Sequence, residues 1–364
     1  MLFHYHNKDY TFERHPQQEN RTLRAWSAVD EHFLRHQETE KKSWETPLVL
    51  YNDRFGFLTA LQLPQPTHTV VTWHSQLVAL EFHLHENQVP REHWSQCTPL
   101  EPLPQPVQEA WIKLPKSLDL LQLFLQQLSA QLLPEAEVLV GFMTKHFSPQ
   151  LLAVAGLYFE DIQQSKAWKK SRLLILKKPK PYVARTLQHH LSWENLIFRQ
   201  YYGVFSAKHI DYASQFLLEQ LPALAPSSKV LDLACGNGVL GIAACEQVAG
   251  VELHLLDDFN LALASAQLNV REQVVQLHWK YNLEALPTAY FDYILCNPPF
   301  HTEHEVTTSI AKQLFKGAKK CLHPQGEFWI VANRHLNYKN FLNTLFDQVH
   351  ITHQNKKFLL YKCQ

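Results

Sequence analysis

Between residues 230 and 361, seven short apolar runs alternate with stretches of helical periodicity, and only residues 353–356 separate the last two runs. The runs fall at 230–234, 252–257, 275–279, 291–296, 327–332, 349–352 and 357–361, with helical patterns such as 261–270 and 308–321 in the gaps. Strands that alternate with helices return to the same end of the sheet each time, so they pair in parallel. Four residues are too few for such a crossover. The last two strands must therefore form an antiparallel hairpin at one edge. The expected fold class is α/β, with a seven-stranded, mostly parallel sheet that ends in that hairpin.

The chain has 364 residues, 46% hydrophobic and 19% charged, which is a globular composition long enough for two domains. Its N-terminal part repeats the plan faintly. Leu48-Val49-Leu50-Tyr51 reads as a strand and Asn52-Asp53-Arg54-Phe55-Gly56 as the turn after it, so that Gly56 can be laid on Gly238. A strand-like Ala110-Trp111-Ile112-Lys113 leads into Leu114-Pro115-Lys116. From Gly56 to Pro115 is 59 positions, where Gly238 to Pro298 is 60. The expectation is an internal duplication: two tandem Rossmann-like domains, 1–180 and 181–364, the first without the glycine-rich turn of the second. No apolar run reaches the ~18 residues of a membrane span. Residues 1–14 carry no signal-peptide core, and the six cysteines show no CxxC pair and no metal-ligand spacing. A cytoplasmic monomer with free thiols, no metal and no membrane contact is expected.

The second domain carries the chemistry. Leu231-Asp232-Leu233-Ala234-Cys235-Gly236-Asn237-Gly238-Val239-Leu240-Gly241 is a strand running into a tight turn and a helix. Gly236, Gly238 and Gly241 satisfy GxGxxG, so a nicotinamide cofactor has to be weighed. Small residues there let a ligand approach the backbone. Asp232, four positions before Gly236, separates the readings. A carboxylate at that strand end opposes a pyrophosphate but suits the cationic methionine end of S-adenosylmethionine. The next strand ends at Asp257-Asp258, where an acid accepts hydrogen bonds from ribose hydroxyls with either cofactor. Asn282, near the end of the third strand, is a candidate for the adenine amino group, or else a turn residue.

The fourth strand runs into Cys296-Asn297-Pro298-Pro299-Phe300. Two prolines restrict φ and leave the loop poor in N–H donors. What remains is a set of acceptors, the Asn297 side-chain oxygen and the Asn297 and Pro298 carbonyls, beside a flat ring at Phe300. Such a loop can hold a planar NH2 group, with Asn297 and Pro298 accepting its N–H bonds and Phe300 stacking on its ring. The alternative is a plain Pro-rich turn after a buried strand. Its position at a carboxyl end of the sheet, where ligands of open α/β folds sit, favours the first reading and the methyl donor. An aromatic amine is a poor nucleophile, and two acceptors on its N–H groups aim its lone pair at the methyl group. His301 is adjacent and is a candidate to take the proton.

Formal charge is zero, which argues against a strongly electrostatic nucleic-acid binder but not against a local basic patch. Seven cations and no acid lie between Lys166 and Lys180. Lys166, Lys169, Lys170 and Arg172 surround Trp168, which reads either as a solvated face or as an RNA-contacting surface.

Asn297-Pro298-Pro299-Phe300-His301, Ile330-Val331-Ala332-Asn333-Arg334-His335-Leu336 and Cys235-Gly236-Asn237-Gly238-Val239 resemble the bacterial ribosomal RNA guanine-N2 methyltransferases. The nearest match is the large-subunit (23S) type, while the small-subunit (16S) type is less similar around Arg334-His335. The resemblance covers nearly the whole chain, including Leu23-Arg24-Ala25-Trp26 and Ala167-Trp168-Lys169-Lys170. It implies two class I methyltransferase-like domains, of which only the C-terminal one binds S-adenosylmethionine, and a guanine in 23S rRNA as substrate. It also implies that Gly203-Val204-Phe205-Ser206, with Phe205, lies over cofactor and substrate. The first domain is then expected to recognise RNA. Ala234 departs from the pattern, which has glycine there, and Phe259 replaces a small polar residue. The same loop, usually ending in tyrosine, occurs in adenine-N6 and glutamine-N5 methyltransferases, so a protein-glutamine substrate is an alternative, as is an inactive RNA-binding module.

Overall fold

The computed structural model describes the chain except residues 16–21, 41–44, 105, 247, 272–273, 300, 303–304 and 307, and only the backbone of 301–302 and 305–306. It divides into two compact units, Met1–Leu187 and Gln188–Gln364. In the first unit, strands β1 (Leu48–Tyr51), β2 (Thr67–Val70), β3 (Trp94–Cys97), β4 (Val107–Lys113), β5 (Leu132–Met143), β6 (Phe159–Gln164) and β7 (Ser171–Pro179) form one sheet, in the order β3-β2-β1-β4-β5-β7-β6. In the second, β8 (Lys229–Leu233), β9 (Glu252–Asp257), β10 (Val274–Trp279), β11 (Phe291–Cys296), β12 (Leu322–Asn333), β13 (Val349–Gln354) and β14 (Phe358–Cys363) stand in the order β10-β9-β8-β11-β12-β14-β13. The two orders are the same, and in each sheet one strand, β7 or β14, runs antiparallel to both of its neighbours while the other neighbouring strands pair in parallel.

Alternation along the strands of the second sheet explains its burial. Val230, Leu253, Leu255, Leu295, Val331 and Leu360 belong to one core, and Leu231, Leu233, Ile294, Cys296, Ile330 and Tyr361 to another. A parallel sheet covered on both faces needs apolar residues at every position, which is why its strands read as continuous apolar runs. Each fully buried aliphatic side chain contributes ~1.5–3 kcal/mol of transfer free energy.

Part of this fold is not apparent in the sequence. β12 begins at Leu322, paired with Phe291 ahead of a register shift, and not at residue 327. The hairpin Gln188–Trp193 with Leu196–Tyr201 lies outside the sheet and went unread, because its polar His189 and His190 hide the strand alternation.

The two units agree at the glycine turn, and at the fourth strand the pairing sets Pro115 on Pro299 and not on Pro298. Gly56 opens α2 (Phe57–Gln62) with φ 70°, and Gly238 opens α4 (Val239–Cys245) with φ 81°. Four residues earlier, Asn52 and Ala234 both take left-handed φ, 58° and 60°. Tyr51 pairs with Ile112 and Leu233 with Cys296, so Lys113 and Asn297 occupy equivalent positions. Asn52 Nδ2 donates to the Lys113 carbonyl at 3.0 Å across the ends of β1 and β4.

Candidate active site

The glycine turn of the second unit is braced from below. Asp232 is fully buried, and its Oδ2 accepts from the Gly241 amide at 2.8 Å. Its other oxygen, Oδ1, has no hydrogen-bond partner. Burial pushes this carboxyl up to about 8, against the opposing pull of the Gly241 amide. Asp232 thus lies under the turn and not at its mouth. Gly241 is needed for this packing, since a Cβ there would come within 2.8 Å of Leu253 and 2.9 Å of the Asp232 Cβ.

Above the turn there is space. Gly236 has φ +56°, and a Cβ built on it meets no atom within 4 Å. The Gly236 amide donates to Asp257 Oδ2 at 2.9 Å, and the Phe259 amide to Asp257 Oδ1 at 2.9 Å. Burial raises this carboxyl to about 6. A carboxylate has about four acceptor sites, so Asp257 keeps capacity for further donors. Asp258, beside it, is half-buried. Its carbonyl accepts from Trp279 Nε1 at 2.8 Å, which brings an indole from the end of β10 to the crevice, a residue not singled out in the sequence. Asn282 accepts from the Glu284 amide at 3.3 Å and so acts as a turn residue in its loop. The open cradle at Gly236, the partnerless Asp232 oxygen and the Asp257 acceptors fit a nucleoside-bearing cationic donor.

The segment carrying Phe205 is tied to this turn. Gln200 Oε1 accepts from Asn237 Nδ2 at 3.0 Å, and Gln200 Nε2 donates to the carbonyls of Val204, Phe205 and Ser206 at 3.2–3.4 Å. Phe205 itself is 65% exposed.

At the end of β11, Asn297 is half-buried and Pro298 buried. Asn297 Nδ2 donates to Asp211 Oδ2 and to Ser214 Oγ, each at 3.0 Å. Both N–H bonds of the amide are thereby spent, and its carbonyl oxygen is turned away from them. Asp211 and Ser214 belong to the start of α3 (Tyr212–Leu218) and were not foreseen. Cys296 is fully buried, and burial pushes its thiol far up, so it is core and not a nucleophile. Phe300 and the His301 side chain lie outside the described residues.

In the first unit, Lys169 and Lys170 form the tip of a tight turn, with φ 44° and 61°, between Trp168 and Ser171. Lys166, Lys169 and Lys170 are exposed. Lys169 Nζ lies 4.5 Å from the Trp168 ring centre and 2.7 Å from Glu31 Oε2, and Arg35 stacks at 5.5 Å from the same ring. Arg172 donates to Gln164 at 3.1 Å. Lys177, at the far end of the run, is paired with Glu137 at 2.9 Å. Among the described residues no helix is long and apolar enough to cross a membrane.

Residues 1–181 match the model of the RLMG N-terminal domain, and residues 195–362 that of the methyltransferase small domain. Ribosomal RNA large subunit methyltransferase G of Psychromonas ingrahamii is 33% identical over 95% of this chain and 94% of its own. Its counterparts from Pseudoalteromonas translucida and Yersinia pestis are each 32% identical, over 97% and 96% of this chain and 95% and 91% of theirs. The chain belongs to the ribosomal RNA large subunit methyltransferase G family. A 16S rRNA N2 methyltransferase from T. thermophilus, solved in complex with AdoMet and guanosine, superposes with TM-score 0.77 over 100% of this chain and 97% of that one, at 20% identity. Family and fold agree on two methyltransferase-like α/β units, as the strand orders and the resemblance led one to expect.

Proposed function

We propose that this member of the large subunit methyltransferase G family transfers a methyl group from S-adenosylmethionine to the exocyclic N2 of one guanine in 23S rRNA, as a cytoplasmic monomer. One observation carries the reading. Asn297, at a carboxyl end of the sheet, has both N–H bonds engaged by Asp211 and Ser214, which leaves its oxygen as an acceptor. When bound, the donor supplies a methyl group on a sulfonium sulfur. Gly236 would give it room on a turn that Gly238 shapes, Asp257 and Asp258 would hold its ribose, Phe205 would flank it, and buried Asp232 would favour its positive charge from beneath the turn. Asn297 and the Pro298 carbonyl accept the guanine N–H bonds, and Phe300 stacks on the base. Holding the amine this way directs its lone pair at the methyl group, which is catalysis by orientation and electrostatics. The methylated amine then loses its proton to water. In the first unit, Trp168 with Lys166, Lys169, Lys170 and Arg172 contacts RNA phosphates and bases.

Asn297→Ala tests the reading. Turnover on unmodified 23S rRNA should fall at least about 100-fold, the scale of one lost electrostatic contact to the transition state. Donor affinity by calorimetry should hardly change. Turnover within a few-fold of the parent enzyme would remove Asn297 from the reaction.

A further inference from the structure

We infer that Asp211 is a positioning residue for methyl transfer, because its carboxylate fixes which end of the Asn297 amide faces the substrate. The inference rests on the role proposed for Asn297. An asparagine side chain has a donor end and an acceptor end, and a half-turn about its last bond exchanges them. Only the acceptor end can receive an amine N–H.

The structure sets that sense through one oxygen. Asp211 is the N-cap of α3, and its Oδ2 accepts from the amides of Ala213 at 3.0 Å and Ser214 at 3.4 Å, which pins the carboxylate in place. The same Oδ2 accepts from Asn297 Nδ2, across 86 positions of sequence. An ionised carboxylate has no proton to give, so it selects the NH2 end of the amide. Ser214 Oγ takes the second N–H at 3.0 Å, but a hydroxyl both donates and accepts and cannot discriminate between the two ends. Asp211 therefore decides the orientation, and Ser214 completes it.

The first unit repeats the link with a different end group. At the position equivalent to Asn297, Lys113 Nζ lies 2.8 Å from Asp30 Oδ2, in the first turn of α1 (Ala28–Glu40). Asp30 is in turn held by the amide and hydroxyl of Ser27, at 2.7 and 2.8 Å. In both units a carboxylate at the start of a helix ties down the residue at the end of the fourth strand. In the first the tied group is a cation with no acceptor to offer an amine. In the second it is an amide whose untied end is an acceptor.

Asp211→Ser tests this. Serine caps a helix about as well as aspartate, but its side chain is one atom too short to reach Asn297. On unmodified 23S rRNA, kcat should fall about 30-fold, the scale of one charge-assisted hydrogen bond. Donor affinity and melting temperature should stay at the parent values. Asp211→Asn, whose carbonyl can still accept, should recover most of the loss. Against the residual activity of Asn297→Ala, adding Asp211→Ser should cost nothing more, because the two residues act as one unit. If Asn297→Ala is impaired and Asp211→Ser is fully active, the positioning role is wrong while the reading of the site stands. If Asp211→Ser lowers melting temperature or donor affinity in step with kcat, Asp211 is structural and the inference fails. If Asn297→Ala itself is active, the reading of the site fails and this inference with it.

Discussion

Ala234 sits in a conformation that glycine should hold better, and replacing it offers a direct measure of strain in the donor turn. Its φ of 60° lies in the left-handed region, where an L side chain costs about 1–2 kcal/mol. Asn52, at the equivalent place in the first unit, has φ 58° and belongs to a residue type that tolerates it. Ala234→Gly relieves this cost but adds about 0.4–1 kcal/mol of unfolded-chain entropy. The net expectation is a gain of about 0.5–1 kcal/mol. For a unit of this size that is a rise of roughly 1–4 °C in melting temperature. Gly238→Ala is the matched opposite. It forces a Cβ into φ +81°, 2.9 Å from Ile242 Cδ1 and 3.1 Å from the Ala266 Cβ, and should lower the same transition by about 2–8 °C. Calorimetric scans of the full chain read both, and only one unit's transition should move. If Ala234→Gly lowers the melting temperature, the turn is not strained at Ala234 and the argument from φ is refuted.

Donor affinity should depend on pH through Asp232. Its folded pKa is raised to about 8, so at pH 7 the empty site holds it mostly protonated. A cation bound above the turn favours the charged form, so binding releases a proton, and affinity climbs by up to about tenfold per pH unit until pH 8. Calorimetry in buffers of different ionisation enthalpy should show that release, and Asp232→Asn should abolish it. Flat affinity between pH 6 and 8 in the parent enzyme would contradict the assignment. The same raised pKa makes the empty protein lose stability as pH rises from about 4 to 8, the sign expected when the unfolded chain gives up the proton first. Reversing charge at Lys169 and Lys170 to glutamate should weaken rRNA binding several-fold and flatten its salt dependence, with donor affinity unchanged. Equal RNA affinity at 50 and 200 mM salt in the parent enzyme would argue against a phosphate-contacting surface.

The scaffold was legible because it is written in local pattern. Apolar runs, the interval of four residues at 353–356 and the glycine turn marked the strands, their parallel pairing and the hairpin before any contact was known. Gly56 marked the turn of the first unit, but laying Pro115 on Pro298 missed the register of the fourth strand by one, since Lys113 stands where Asn297 does. The partners of Asn297 were not legible. Asp211 and Ser214 look like an ordinary helix cap, and nothing local says that the cap reaches a strand end 86 positions away. Asp232 was expected at the strand end to suit the donor's cationic end, and what the sequence does not reveal is that burial and the Gly241 amide hold it beneath the turn. Asn282 had been left between two roles, and its bond to the Glu284 amide is that of a turn residue.

The Gln200–Asn237 pair makes the donor turn and the segment at 204–206 two ends of one lever. Asn237 lies between the two glycines of the turn, and Gln200 spends its NH2 group on three carbonyls of the other segment. A ligand that shifts one amide perturbs the bond to the other, and the free energy of any such coupling is the same from either side. RNA pressing on Phe205 would then change donor affinity by the factor with which the donor changes RNA affinity. Gln200→Ala, which removes that link, would weaken the coupling between the two ligands by the same factor from either side.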